Sequence, residues 1–425
     1  MSEMRNILIV GTADTKADEL LFMQHCLQLE GSRGLIMDVG VLGTPPFEPE
    51  FSKHDVAAAA DTDIGAVIGL GDENLAMAKM AEGAVALTLR LYAQGKVDGL
   101  LALGGTMGTD LALDVTAALP LGMPKLIVST VANSHLIPAD RLAPDLMMML
   151  WAGGLYGLNS ICRSILSQAA GAVLGACKTV ERSRGPRPMV AIGALGKSCL
   201  SYMVALTPAL EARGYEPVVF HCTGMGGRAM EALIEAGQFV AVFDLALCEV
   251  SAEIFGAPTS AGPARLTAAA LRGIPQIVGP GGCDMIDYQT WRAMPPQYDG
   301  RPNHAHNRLI SSVRMTTEER RRLAVALGEK LRMPVGRSAF LLPLHGIEEW
   351  DRPGQPLHDG EGLAAFVDGL RQSVRGATEL VELSCHINDP PFVDAALAIF
   401  DRWVAEGHIP RGATAESLSD RVTAP

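Results

Sequence analysis

A short polar run follows the first strand-like segment of the chain, in the stretch RNILIVGTADTKADE at 5–19. Four apolar residues end at Gly11, and the polar residues after it are Thr12, Asp14, Thr15 and Lys16. Hydroxyls and free backbone N–H groups at such a turn can donate to a phosphate, and a lysine offsets its charge. Neither GxxxxGK[ST] nor GxGxxG is complete here. The stretch therefore predicts a phosphate-binding turn that is not a P-loop.

Further turns of this kind follow two later strand-like runs, VDGLLALGG at 97–105 and MPKLIVSTVA at 123–132. Their candidate residues are Gly104, Gly105, Thr106, Met107, Gly108, Thr109 and Thr130. Asp38 closes another strand, where a ribose hydroxyl could find an acceptor. Any one such loop is more often an ordinary turn or helix cap. Because ligands bind at the carboxyl edge of open parallel sheets, several together favour a nucleotide or phosphorylated ligand.

A second candidate site lies in HCTGMGGRAM at 221–230. His221 ends a predicted strand, a glycine-rich loop follows, and Arg228 opens a helix. Asp244 and Glu249 come at the end of the next predicted strand. This set combines a proton-transfer group, an anion nest and a guanidinium fork. The alternatives are a buried core histidine, a helix N-terminal charge at Glu249, and a structural Arg228–Glu249 salt bridge.

Two weaker patterns involve histidine and cysteine. His304 and His306 would face one side of a strand, but a metal needs a third ligand. That ligand would come from His345, His386 or Asp389. Ser198 and Cys199 suggest a nucleophile, although no GxSxG elbow accompanies them. We commit to no metal ligands on these patterns.

The order of elements repeats in the two halves of the chain. RNILIVGTADTK opens the first half and PMVAIGALGKS at 188–198 opens the second, after the breaker-rich segment 182–188. Each is an apolar strand, a glycine turn and a helix start. The pattern predicts an α/β protein with two Rossmann-like, doubly wound parallel-sheet domains in tandem. We assign 1–184 to the first domain, 185–410 to the second, and 411–425 to a flexible tail.

Composition limits the classes of partner. The net charge of −12 disfavours nucleic acids and acidic membrane surfaces as general partners. The 8 cysteines form no CxxC pair, which is typical of a reducing compartment. The N-terminus lacks a signal-peptide pattern, and no uncharged apolar run reaches about 18 residues. We expect a cytoplasmic protein without membrane or nucleic-acid partners.

Across nearly its whole length the chain resembles the family of uncharacterised bacterial and fungal proteins related to the ATP-binding N-terminal domain of the plant tomato-mosaic-virus resistance protein. The segments that carry the resemblance are GTADTKADEL, GLGDE, LALGGTMGTDLAL, PKLIVSTVA, VVFHCTGMGGRAMEALI, HAHNRLISSVRMTTEE and CHINDPPFVDAAL. The resemblance implies two Rossmann-like subdomains with ATP in the first. It places the nucleotide loops on Asp14–Lys16 and Gly104–Thr109. The family's second loop often reads GGSGGT, so Met107 replaces a glycine, and a positive φ or a phosphate contact there would be affected.

Three functions remain open at this point. The first is an enzyme that binds ATP with Mg²⁺ in the first domain and a small acidic metabolite near His221, Arg228 and Glu249. The second is a non-catalytic ATP-binding module that regulates a protein interface. A dinucleotide oxidoreductase is weaker, because GxGxxG is absent. The apolar stretch at 146–156 would be covered either by the other domain or by another subunit, and we expect a homodimer because it is the commonest closed oligomer.

Overall fold

The computed structural model of the protein describes residues 4–181, 185, 187–196, 199, 201–332 and 336–413. The chain divides into two compact units, Met1–Ser183 and Arg184–Pro425, called unit 1 and unit 2 below. Both are α/β and built on parallel sheets, which confirms the predicted fold class. The candidate nucleophile Ser198 and most of the predicted tail, from residue 414 on, lie outside the described residues.

Unit 1 is built on a five-stranded parallel sheet with the order β2-β1-β3-β4-β5. The strands are β1 Asn6–Gly11, β2 Arg33–Asp38, β3 Gly99–Gly104, β4 Lys125–Ser129 and β5 Met147–Leu150. The helices are α1 Ala17–Leu29, α2 Lys53–Ala59, α3 Ile64–Gly69, α4 Glu73–Ala93, α5 Thr106–Ala118 and α6 Ser160–Thr179.

The central strands of unit 1 are apolar on both faces because helices cover both. Leu8 and Val10 of β1 pack in one hydrophobic cluster with residues of α2, α4 and α5. Ile7 and Ile9, which alternate with them, pack in another with residues of α1 and α6. Such two-sided burial explains the continuous apolar run from which β1 is predicted.

One helix of unit 1 also has the length and composition of a membrane span. Among the described helices this is α6, with a mean hydropathy of 1.2 over its most apolar window. Its buried residues, such as Leu166 and Val173, pack on the sheet in the cluster that contains Ile7 and Ile9. A core helix satisfies the same length and composition test.

Unit 2 contains a six-stranded parallel sheet with the order β14-β13-β9-β8-β6-β7. Its strands are β6 Met189–Ala194, β7 Glu216–His221, β8 Ala241–Ala246, β9 Gln276–Gly281, β13 Ser338–Pro343 and β14 Thr378–Leu383. The helices are α7 Ser201–Ala212, α8 Met225–Glu235, α9 Cys248–Phe255, α10 Ala268–Arg272, α11 Thr317–Lys330, α12 Gly360–Ser373 and α13 Pro390–Ala405. A small antiparallel sheet, β10 Met285–Gln289, β12 Ile310–Arg314 and β11 Asn303–His304, is inserted after β9.

The strongly patterned elements agree with prediction, and the exceptions have physical causes. The two opening strands, predicted in RNILIVGTADTK and PMVAIGALGKS, are observed as β1 and β6. The edge strand β5 was not predicted, since its sequence, MMML, lacks the β-branched residues typical of strands. The small antiparallel sheet was also missed, because its strands are short and polar.

Candidate functional site

The carboxyl edge of the unit 1 sheet contains a cavity of about 700 Å³. In the strand order, β2 lies on one side of β1 and β3 lies on the other, so the direction of the chain connections reverses between β1 and β3. The cavity lies at this switch point, which is where open parallel sheets bind ligands. The predicted residues that line it are Thr12, Asp14, Thr15, Lys16, Gly104, Gly105, Thr106, Met107 and Gly108. Tertiary structure therefore brings together two segments that are about ninety residues apart in the chain.

Two helices begin beside this cavity without a side-chain cap. Neither Lys16, before α1, nor Gly105, before α5, supplies a side-chain hydrogen bond to the first turn. The other α-helices of unit 1 are capped by Ser52, Asp63, Asp72 and Asn159. Because the free N–H groups of a helix start attract anions, the uncapped starts of α1 and α5 make this edge suited to phosphate.

The Lys16 ammonium lies at the wall of the cavity and is held there by the loop after β5. Its Nζ donates to the carbonyl oxygen of Leu155 at 2.5 Å and lies 5.0 Å from the centre of the Tyr156 ring. A phosphate would compete with this carbonyl and ring for the ammonium. The β5–α6 loop thus positions the Lys16 side chain, a contact that sequence reasoning missed.

Three predicted ligand residues, Gly11, Thr109 and Thr130, are not among the residues that line the cavity. Gly11 packs against α1, since a Cβ there would lie 2.8 Å from Leu20 Cδ2. Thr109 is 1% exposed, and its hydroxyl is 2.7 Å from that of Ser129. The N–H of Thr130 donates to Gly104 O at 3.2 Å. These contacts fasten the turns after β1, β3 and β4.

The proposed ribose acceptor, Asp38, is also occupied. Its Oδ1 accepts hydrogen bonds from the backbone N–H groups of Ala13 and Gly40, both at 2.9 Å, and the residue is 1% exposed. It joins the loops that follow β1 and β2. The hypothesis that Asp38 binds a ribose hydroxyl is therefore replaced by a structural role.

Met107 does not occupy a position that requires glycine. It lies in the first turn of α5 and is not among the described residues with positive φ. Its side chain is 37% exposed and joins an apolar wall of the cavity with Val67, Ile68 and Met77. This wall provides a surface on which a planar base could pack.

The cavity also presents carboxylates that would suit Mg²⁺. Asp14 follows β1, and Asp72 and Glu73 lie at the start of α4. Asp72 already caps α4 by accepting from Leu75 N at 2.9 Å. Asp14 and Glu73 are thus the better candidates to hold a magnesium ion that is bound mainly by phosphate oxygens and water.

The four residues predicted to form a catalytic cleft in unit 2 differ in position and burial. His221 ends β7 and Asp244 lies inside β8, but β6 separates these strands, so they are about 10 Å apart. His221 is exposed, whereas Asp244 is 2% exposed and Glu249 is fully buried. Arg228 Nη2 donates to Ser260 O at 3.4 Å. The prediction required β7 and β8 to be neighbours, and the strand order shows that β6 lies between them.

Asp244 and Glu249 instead belong to a buried ion cluster around Arg265, which sequence reasoning missed. Arg265 Nη2 donates to Asp244 Oδ1 at 2.7 Å, and its Nε donates to Glu249 Oε2 at 2.6 Å. Nη1 also contacts Asp244 and lies 3.3 Å from Glu231 Oε1. Glu249 is thus paired with Arg265 and not with Arg228, the partner considered from the sequence. The sequence does contain a signal for such a cluster, since Glu231, Asp244 and Glu249 lie in apolar segments. Buried carboxylates of this kind need a positively charged partner.

The cluster also occupies the anion nest of the HCTGMGGRAM loop. Glu249 Oε1 accepts from the N–H groups of Gly224 at 2.6 Å and Gly227 at 3.0 Å. Burial raises the pKa of Glu249, and Arg265 opposes that rise. Burial by itself would lower the pKa of Arg265, but Asp244 and Glu249 hold it well above its ordinary value. The loop thus binds an internal carboxylate, and its role is structural.

The histidines considered for a metal make other contacts and form no ligand set among the described residues. His304 stacks on Trp350 at 3.8 Å between ring centres, and His306 lies 5.8 Å from the same ring. His386 Nε2 is 2.9 Å from Glu348 O and 3.1 Å from Asp351 Oδ1. Within the described ranges, no group of three or more His, Cys, Asp or Glu side chains could hold a metal ion.

The chain belongs to the uncharacterised protein family UPF0261. Residues 5–182 match the N-terminal domain of that family and residues 187–404 match its C-terminal domain. A UPF0261 protein of Brucella melitensis is 53% identical over 406 residues, 96% of this chain and 97% of the relative. A UPF0261 protein of Clostridium tetani is 34% identical, over 92% of this chain and 97% of the relative.

More distant likenesses include a plant protein and solved structures. The ToMV resistance protein Tm-1(GCR237) of Solanum lycopersicum is 27% identical, over 94% of this chain and 56% of the plant protein. The crystal structure of a putative UDP-N-acetylglucosamine 2-epimerase from Listeria monocytogenes is 10% identical over 65% of this chain and 79% of that one, with a TM-score of 0.22. The glycosyltransferase SnogD from Streptomyces nogalater is 12% identical over 93% and 99%, with a TM-score of 0.21. Such low TM-scores support no functional argument.

Proposed function

We propose that the protein binds ATP, with Mg²⁺, in the cavity of unit 1. The observation that carries the proposal is the pair of uncapped helix starts, α1 and α5, on one cavity at the switch point of the sheet. Phosphates would accept from these N–H groups and from the Lys16 ammonium, and the base would pack on the wall that contains Met107. Asp14 and Glu73 would help to hold the magnesium ion.

We further propose that the protein is a nucleotide-dependent enzyme whose small acidic substrate binds in unit 2. His221 and Arg228 are no longer favoured as its catalytic pair, because they do not converge with Asp244 and Glu249. The rival function, a non-catalytic ATP-binding module that regulates a protein interface, gains support if unit 2 binds no metabolite. The cytoplasmic location and the homodimer stay predictions. Within the apolar stretch at 146–156 the side chain of Leu150 is 46% exposed and that of Tyr156 is 93% exposed, so both are accessible for a dimer contact.

Calorimetric titration of ATP into Lys16→Ala tests the nucleotide proposal. Loss of one charge-assisted contact costs about 1.5–3 kcal/mol, so we expect at least about tenfold weaker binding. Lys79→Ala is the matched control, because Lys79 lies on the surface of α4 in an ion pair with Glu82 at 2.6 Å. Equal ATP affinity in wild type and Lys16→Ala would reject this assignment.

A further inference from the structure

The loop between β2 and α2, residues 39–52, borders the unit 1 cavity. Three of its residues line the cavity, namely Gly40, Val41 and Leu42. Near the end of the loop the chain returns along the edge of β2, where Phe51 N donates to Ile36 O at 3.0 Å and Phe51 O accepts from Asp38 N at 2.8 Å. Loops of this length without a helix or strand of their own are uncommon and usually functional.

The tip of this loop, residues 40–43, is fastened by Lys53, the first residue of α2. The Lys53 ammonium donates to Gly43 O at 2.6 Å and to Val41 O at 3.1 Å, and Leu42 O lies 3.5 Å from it. Hydrogen bonds from a charged donor are roughly twice as strong as neutral ones. Lys53 therefore restrains the backbone of three consecutive residues at the border of the cavity.

Two glycines of the loop tip pack directly on the side chain of Asp14. A Cβ on Gly43 would overlap with Asp14 Oδ2 and would lie 2.6 Å from Asp14 Cβ. A Cβ on Gly40 would lie 3.3 Å from Asp14 Oδ1. Because glycine has no side chain, the loop backbone can approach the carboxylate this closely. A methyl group at residue 43 would displace either the carboxylate or the loop.

The Asp14 carboxylate is held by this packing and not by hydrogen bonds. Asp14 lines the cavity and is half-buried, and its carboxylate forms no hydrogen bond with any of the described residues. Asp38 and Asp72, by contrast, each accept hydrogen bonds from backbone N–H groups. The lone pairs of Asp14 are therefore available to a cation, and carboxylate oxygens are ligands that Mg²⁺ prefers.

We propose that Gly43 and Lys53 are positioning residues for the magnesium ion that accompanies ATP. Lys53 fixes the loop tip, the backbone at Gly43 fixes the Asp14 carboxylate, and Asp14 contacts the ion. Gly43 and Lys53 are not among the residues that line the cavity, so they act through Asp14. The inference rests on the proposed binding of ATP with Mg²⁺ in this cavity, and it names the residues that orient the metal ligand. Substitution of such residues typically weakens metal binding by about 10–100-fold.

Calorimetric titration of ATP, once with excess Mg²⁺ and once with EDTA, tests this inference. We expect the wild-type protein to bind ATP at least about tenfold more tightly with Mg²⁺. Lys53→Met and Gly43→Ala should lose most of this magnesium effect and keep the wild-type affinity in EDTA. Asp14→Asn should lose it as well, because the substitution removes the proposed ligand. The controls are Lys79→Met, on the surface of α4, and Gly69→Ala, whose Cβ would meet nothing within 4 Å.

The magnesium effect separates a positioning role from a purely structural one. Folded Lys53→Met and Gly43→Ala variants that keep the wild-type effect overturn the inference, and so does an unchanged effect in Asp14→Asn. Equal loss of affinity with and without Mg²⁺ also overturns it, because that result indicates a general disturbance of the cavity. If Gly43→Ala does not fold, Lys53→Met decides, since methionine keeps most of the apolar stem of lysine.

The same titrations distinguish failure of this inference from failure of the proposed function. A wild-type protein that binds no ATP refutes the proposed function and this inference with it. A wild-type protein that binds ATP equally well with Mg²⁺ and with EDTA refutes only the inference. Thermal unfolding of each variant establishes that the titrated protein is folded.

Discussion

At the scale of single residues, unit 2 uses its buried charges in two different ways. Arg265 is fully satisfied, with hydrogen bonds to Asp244 and Glu249. Arg320 is equally buried, but among the described residues its Nε and Nη2 have no hydrogen-bond partner, and Asp359 Oδ2 lies 3.7 Å from Nη2. A satisfied buried network favours a single structure, whereas an unsatisfied buried group calls for an explanation such as strain, a catalytic role, or a bound water or ion. The Arg265 cluster therefore has a mainly structural role.

Arg265→Met should strongly destabilise unit 2. The substitution leaves Asp244 and Glu249 buried without their counter-charge, which typically costs about 3–5 kcal/mol. Chemical denaturation of the full chain measures the effect, with the exposed Arg321→Met as the matched control. If both variants unfold at the wild-type denaturant concentration, the cluster does not contribute to stability as described.

Asp284 should make the stability of the protein fall as the pH rises from about 4 to about 7. Its pKa is raised to about 7 in the folded protein, whereas the unfolded chain has the ordinary value near 4. Between these values the folded state binds more protons, so the free energy of unfolding decreases with pH by up to ~1.4 kcal/mol per pH unit.

Comparison with Asp284→Asn isolates this contribution. The amide does not titrate. As the pH rises over that range, the free energy of unfolding of the wild type should therefore fall relative to that of the variant. Denaturation midpoints at several pH values measure it, with Asp299→Asn as a control at an exposed carboxylate. Parallel pH profiles for wild type and Asp284→Asn would contradict the raised pKa.

At the scale of elements, the turn between β3 and α5 sets the geometry of the proposed nucleotide site. Gly104 ends the strand against the first turn of the helix, and a Cβ there would lie 2.6 Å from Gly108 Cα and 2.7 Å from Thr109 N. A Cβ on Gly105 would meet only Thr130 Oγ1, at 3.9 Å. Adjacent glycines in one loop therefore tolerate a methyl group to very different degrees.

Gly104→Ala should destabilise unit 1 and weaken ATP binding, while Gly105→Ala should leave stability nearly unchanged. Overpacking against backbone costs about 1–3 kcal/mol, and it would displace the start of α5 from the cavity. Thermal unfolding and calorimetry of both variants provide the comparison. Equal unfolding temperatures for the two variants would show that close packing at Gly104 is not needed.

At the scale of the whole molecule, each unit has its own sheet and its own hydrophobic clusters. The two family domains match the chain on either side of the same boundary. Since a domain of this size can bury enough apolar surface to fold alone, the units need not depend on each other for stability.

A fragment of residues 1–183 should fold cooperatively and bind ATP with an affinity close to that of the full chain. The cavity, α1, α5 and the loop that holds Lys16 all lie within it. Circular dichroism and calorimetry of the fragment test this expectation. A fragment that folds but binds ATP much more weakly would show that unit 2 contributes to the nucleotide site.

The sequence by itself determined the α/β class and most of the strands. Buried parallel strands must be apolar on both faces, and the turns after them must contain small or polar residues. Both features can therefore be recognised in a short stretch of sequence. It also indicated the two loops that line the unit 1 cavity, because each follows its strand directly. Short polar strands such as β11, and the edge strand β5, depend on neighbours for their pairing and carry little local signal.

Only the tertiary structure decided which charged residues meet. The sequence could not show that β6 separates β7 from β8, and this strand order removed the cleft predicted from His221 and Asp244. Nor could it show that Arg265, sixteen residues after Glu249, is its partner, or that Asp284 and Glu348 lie in one buried group. Side chains from distant turns are brought together by the order of strands in a sheet, and that order is set by the packing of whole elements.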